Sequence, residues 1–184
     1  MLLVGHGYRG MNFGEIAAQL GITRANIHYH FGSKAALIDD VLADYVEATL
    51  LAMRSIWMKE GTLAAKLEQM LSYSRERYSR FNDALPPVRP WSLISRLRQD
   101  EELLSVDGRR RLRDFTAELH EIFLQALEKA KSDGEISKAS SPAGLSRLLV
   151  AIADNAAPIT MAEGGFADLQ ATYHALLEIC RVPK

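Results

Sequence analysis

Cysteine is almost missing from this chain. Cys180 stands alone among 184 residues, which excludes an intrachain disulfide and a cysteine-based zinc site. That usage fits a reducing cytoplasm. No apolar run approaches the roughly 20 residues needed to cross a bilayer, and no signal-peptide pattern opens the chain, so no membrane partner is expected. An excess of either charge is lacking too. The net charge is −1 at pH 7, which is not the overall signature of a nucleic-acid binder. No stretch alternates apolar and polar residues as a half-buried strand would, and no internal repeat is evident. A glycine-rich phosphate loop and a nucleophile–base motif are absent, so neither an enzyme nor a bound cofactor is expected. Only six prolines occur, and Pro86, Pro87 and Pro90 fall in one segment, NDALPPVRPW (82–91). They predict a break there, because proline cannot lie in a helix interior. What remains is 48% hydrophobic, set at helical spacing, and long enough for a real core. The fold class predicted is all-α.

The densest signals lie between Asn12 and Leu37, NFGEIAAQLGITRANIHYHFGSKAAL. Asn12 can cap a helix, with Glu15 at its third position in a capping-box pattern. Ile16, Ala17 and Leu20 then share one face. Gly21 stands where a left-handed cap residue belongs. Thr23 can cap a second helix, in which Ile27 and Phe31 share a face. Arg24, Ala25, Asn26, His28, Tyr29 and His30 point mostly elsewhere. A helix with two apolar anchors and many hydrogen-bonding side chains is built to display its outer face. Such a helix fits the major groove of B-DNA. Ser33 and Lys34 open a third helix, whose N-terminus with an adjacent lysine suits a phosphate. His28 and His30 are two apart and do not share a helix face, so no metal site is expected.

These residues resemble the tetracycline-repressor (TetR) family of bacterial transcription regulators. The resemblance rests on Gly7-Tyr8, Ile16-Ala17, Gly21-Ile22-Thr23, Tyr29-His30-Phe31, Gly32-Ser33-Lys34 and Leu37. It covers residues 2 to about 45; beyond that, only the architecture is similar. It implies a helix-turn-helix DNA-binding head at 1–45 and an effector-binding and dimerisation body at 46–184. Leu2, Leu3 and Val4 then correspond to the last turn of a longer first helix. Either residues precede Met1, or the protein is a short variant with less apolar cover for Ile16, Leu20 and Ile27. Residues 1–34 hold Arg9, Arg24 and Lys34 against Glu15 alone, a weakly basic head on a neutral body. Asn12, Thr23 and Lys34 would hold phosphates, Arg24, Asn26 and His28 would read bases, and Ala25, Tyr29 and His30 share the DNA-binding segment.

Further on, Leu37, Ile38, Val41, Leu42, Tyr45 and Val46 predict one long helix from Lys34 to about Lys59, a mechanical link between head and body. Thr62 caps the next, striped by Leu63, Leu67, Met70, Leu71, Ser74, Tyr78 and Phe81. A short helix is expected from Ser92 to about Leu104, and a longer one from Asp107 to Ser132. The second turns Leu112, Phe115, Leu119, Ile122, Phe123, Ala126, Leu127 and Ala130 inward. The arginines 109–111 and 113 in its first turns read as a solvated face. Ser141-Pro142 starts a helix to Glu163 that Pro158 should kink. A last helix aligns Leu169, Tyr173, Leu176, Leu177 and Cys180.

The final two helices suit an intermolecular four-helix bundle, the mode in which the family forms homodimers. Ala151, Ala153, Ala156 and Ala157 would permit close approach. Asp154 and Asn155 are either exposed, paired across a dimer, or turned to a ligand. The resemblance implies an effector pocket in the body, with Met70, Tyr73, Tyr78, Trp91, Ile94, Phe115, Leu119, His120, Phe123 and Asp154 as candidates. Their apolar, aromatic character points to a hydrophobic small molecule. The function expected is a ligand-responsive regulator, a repressor released from a palindromic operator in double-stranded DNA. Its half-sites would lie roughly 34–36 Å apart or at a related spacing. The rival expectation is a helical small-molecule-binding or interaction module that no longer binds DNA.

Overall fold

The computed structural model describes residues 2–82, 89–162 and 164–180. Among these the chain is helical, with a single 3-10 turn and no strand. The helices are α1 (Leu2–Gly10), α2 (Phe13–Leu20), α3 (Arg24–Phe31), α4 (Lys34–Trp57), α5 (Leu63–Asn82), α6 (Leu93–Gln99), α7 (Val106–Ser132), α8 (Pro142–Asp154), α9 (Ala156–Thr160) and α10 (Phe166–Cys180). Of the expected proline break, positions 83–88, with Pro86 and Pro87, lie outside the described residues.

Most helix starts follow from a capping oxygen that accepts an otherwise unpaired backbone N–H. Asn12 accepts from Glu15 N at 3.0 Å, Ser33 from Ala36 N at 3.1 Å and Thr62 from Ala65 N at 3.2 Å. Ser92, Ser105 and Ser141 do the same for α6, α7 and α8. Gly21 closes α2 at φ 65°, ψ 28°.

Helix α7 is the axis of the body and packs on both α4 and α8. All eight of its expected inward residues, Leu112 through Ala130, are buried. They meet the buried stripe of α4, with Trp57 against Phe123 at a ring separation of 4.6 Å. Helix α10 lies on α5 and α9, and α1 on α6. Leu3, Val4 and Met11 join the same core cluster as the body helices.

Four expectations need correction. The helix from Ser92 ends at Gln99 rather than Leu104, and a 3-10 turn covers Glu101–Leu103. Asp100 leaves the helical path at φ −109°, ψ 22°, and its carboxylate accepts from Tyr8 N at 2.9 Å. The helix from Pro142 is not kinked at Pro158 but broken at Asn155. Proline has no N–H for the carbonyl four residues back, here Asp154, and its ring crowds that carbonyl. Ser95 Oγ donates to the freed Asp154 O at 2.6 Å. Leu20, expected on the covered face of α2, is 64% exposed; it is the last residue of the helix, about a turn beyond the buried Ala17. Ala156 and Ala157 are buried within the chain, so they are not part of its outer surface.

Candidate nucleic-acid interface and body cavity

Helix α3 keeps one residue fully buried, Ile27 at 2%, with Phe31 half-buried against the core. Arg24, Ala25, Asn26, His28, Tyr29 and His30 are all exposed, Tyr29 at 86%. Tyr29 and His30 meet edge to face at 5.5 Å, and His28 leans on Phe13 at 6.3 Å. Among the described residues, Arg24 makes no ion pair. The helix N-terminus is fixed by Thr23 Oγ1, which accepts from Asn26 N at 3.2 Å. Thr23 also donates to Asn26 Oδ1. The Asn26 amide NH₂ is thus the group left to face outward. Asn12 is likewise committed to its cap through Oδ1.

The cations nearer the body are engaged within the protein. Arg9 pairs with Glu102 at 3.0 Å and lies 3.8 Å from Asp100. Lys34 Nζ donates to Arg9 O at 3.4 Å and sits 4.9 Å from the centroid of the Tyr8 ring. Tyr8 lies between them: its backbone N–H donates to Asp100, and its ring lies under Lys34. Gly7, just before it, holds φ 67°, ψ −171° inside α1. A Cβ there would lie 2.5 Å from Arg96 Nε and 2.6 Å from Asp100 Oδ2. The Gly-aromatic pair of the sequence is the place where the head is pressed onto α6.

The body holds a narrow cavity of about 60 Å³ that opens to solvent. Helix α4 supplies Tyr45, Thr49 and Met53; α5 supplies Met70, Tyr73, Ser74 and Arg77. Trp91, Ser92 and Ile94 come from the start of α6, and Phe115 and Leu119 from α7. Ala153, Asp154, Ala156 and Tyr173 close it. Seven of the ten sequence candidates therefore converge: Met70, Tyr73, Trp91, Ile94, Phe115, Leu119 and Asp154. The other three lie elsewhere. Phe123 is fully buried against Trp57. Tyr78 packs on Phe166 at 5.4 Å and Trp91 at 6.3 Å. His120 Nδ1 is 2.7 Å from Ser146 Oγ. That last pair has the spacing of a nucleophile and its base, but Ser146 is fully buried and also donates to His120 O at 2.7 Å. It joins α7 to α8, and neither residue lines the cavity.

Several of the polar groups in the cavity wall are paired within the protein. Asp154 is paired with Arg98 at 3.0 Å. Burial pushes its carboxyl above the usual carboxylate range, against the opposing pull of Arg98. Trp91 Nε1 donates to Thr160 Oγ1 at 2.8 Å. Tyr45 OH accepts from Leu93 N at 3.1 Å. The fully buried Tyr173 hydroxyl has no hydrogen-bond partner among the described residues, and burial raises its pKa. Tyr45, Arg77 and Tyr173 were not among the sequence candidates. In the sequence Tyr45 and Tyr173 are members of apolar stripes, and a stripe does not show where a gap between helices falls. Arg77 carried no signal, since a charge on a helix reads as solvated.

No curated protein sequence matches the chain. Residues 1–41 match the family model described as bacterial regulatory proteins, tetR family. Among solved structures, a regulatory protein TetR from Rhodobacter sphaeroides is similar at a TM-score of 0.84 and 17% identity, covering 97% of this chain and 92% of that one. A TetR-family transcriptional regulator from Agrobacterium tumefaciens gives 0.81 and 20%, covering 98% and 92%. The reduced form of E. coli NemR gives 0.79 and 18%, covering 99% and 92%. The chain thus carries a TetR-family helix-turn-helix segment at its N-terminus, on a body that shares the all-α fold of TetR-family regulators.

Proposed function

We propose that the protein is a ligand-responsive, DNA-binding transcriptional regulator of the cytoplasm, a repressor that leaves a palindromic operator when a small hydrophobic molecule enters its body. The observation that carries this reading is α3. It buries Ile27 and displays Arg24, Asn26, His28 and Tyr29 to solvent, inside the segment that matches the family model. On this reading residues 1–45 form the head and residues 46–184 the body. Arg24, Asn26 and His28 meet base edges, and Asn12, Thr23 and Lys34 hold phosphates. Two heads are presented by a homodimer through α8 and α10, whose outer faces expose Leu148 at 52% and Ile179 at 74%.

Coupling between the sites has a physical route. Helix α4 runs from the head into the cavity wall, and α6 touches both ends: Ile94 lines the cavity, while Asp100, just past its end, accepts from Tyr8. A ligand that binds one cavity shape better than another shifts the heads toward the matching spacing. The test is fluorescence anisotropy with the promoter DNA next to the protein's own gene. Wild type should bind it in preference to shuffled DNA at moderate salt. Arg24→Ala should weaken the specific complex by about tenfold or more, since one good base contact contributes about 1–3 kcal/mol of discrimination. Equal binding of specific and shuffled DNA would remove the repressor reading. It would favour a module that no longer binds DNA, for which the internal engagement of Arg9 and Lys34 is the supporting observation.

A further inference from the structure

We infer that the molecule the body cavity takes is an apolar anion, a hydrocarbon-like body carrying a carboxylate-type group that docks on Arg77; this rests on the reading of that cavity as the effector site. Two charged side chains line the cavity, Arg77 and Asp154. Asp154 is already matched by Arg98, 3.0 Å away. Arg77 has no carboxylate partner among the described residues, so one positive charge is left over. Its guanidinium is held in place before any ligand arrives. It stacks over the Tyr45 ring at 4.5 Å and the Tyr73 ring at 5.1 Å, and Nη1 donates to Tyr73 OH. Nε and Nη2 remain, the edge of the fork that matches two carboxylate oxygens. Arg77 also lines the neighbouring groove that runs to α1, so it stands at the boundary where a polar head can stay while an apolar body goes inward.

An independent observation agrees. Tyr173 lines the same cavity, and its hydroxyl is fully buried and unpartnered among the described residues. A buried donor without an acceptor is unfavourable. Arg77 and Tyr173 both call for acceptor oxygens, which an acid has and an alkylammonium lacks. A cation would also meet the unmatched charge of Arg77, with Asp154 already taken.

Isothermal titration calorimetry of the full chain with octanoate, octanol and octylammonium separates the possibilities. Octanoate should bind about tenfold tighter than octanol, the size of one charge-assisted hydrogen-bonded pair, and octylammonium weakest. Arg77→Gln should bring octanoate down to about the octanol level, with an unchanged circular dichroism melting curve showing that the variant is folded. Octanol or octylammonium equal to octanoate in the wild type overturns the inference and leaves the cavity reading standing. So does an octanoate preference that survives Arg77→Gln. Failure of all three probes to bind removes the cavity reading itself.

Discussion

Gly7 is fixed by two constraints at once. Its φ and ψ lie in a region open almost to glycine alone, and its missing side chain is what lets Arg96 and Asp100 come close. Gly7→Ala should lower stability by about 1–3 kcal/mol from backbone strain, before any contact with α6 is displaced. Urea denaturation followed by circular dichroism would show it as a lower midpoint. Lys66 is a second such position. It is buried, and Nζ donates to Trp57 O at 2.7 Å and Lys59 O at 2.5 Å, carbonyls at the end of α4. Burial lowers its pKa from 10.5, with Glu60 and Glu135 pulling the other way. In the interval just below 10.5 the unfolded chain therefore holds a proton that the folded chain has released. Stability should rise with pH across that interval. Lys66→Met should lose that rise and cost about 1–3 kcal/mol at neutral pH, because the two carbonyls lose their donor. Denaturation midpoints measured from pH 7 to 10.5 on both proteins would test the sign.

Pro158 shows what a helix does when one hydrogen bond is withdrawn. The carbonyl of Asp154 loses its partner, α8 ends, α9 begins, and Ser95 on α6 takes the vacancy. Ser95→Ala should therefore cost about 1–3 kcal/mol by orphaning a carbonyl. Pro158→Ala, which restores a donor four residues on, should offset part of that loss. A double-mutant cycle on thermal unfolding would read the coupling, and strict additivity would contradict it. Much of the helical layout was legible because its causes are local: Asn12, Thr23, Thr62 and Ser141 are caps set by residues three positions away, and the α7 stripe is plain periodicity. Pro158 was legible as a disturbance, but not its outcome, since the replacement donor lies 59 residues away in Ser95. The fate of Asp154 was hidden for the same reason, as its partner Arg98 is 56 residues distant. The cavity is a gap shared by seven helices, and no single stripe reveals which members border empty space; seven of ten candidates converge there because aromatic and bulky residues on facing helices leave gaps between them.

The assembled protein has two exposed apolar positions on its last long helices, Leu148 and Ile179. Exposed apolar side chains on α8 and α10 are what a dimer would cover. Leu148→Glu with Ile179→Glu should convert a dimer to monomers in sedimentation velocity while leaving the helical circular dichroism spectrum unchanged. If the wild type already sediments as a monomer at high concentration, the paired-head reading fails. The two tryptophans occupy contrasting settings: Trp57 is sealed in the core against Phe123, and Trp91 forms part of the cavity wall with its indole N–H held by Thr160. The molecule therefore carries its own optical gauge. A guest that touches the Trp91 indole should change the colour or brightness of its emission, and Trp57 supplies a steady background against which that change can be read without attaching any dye.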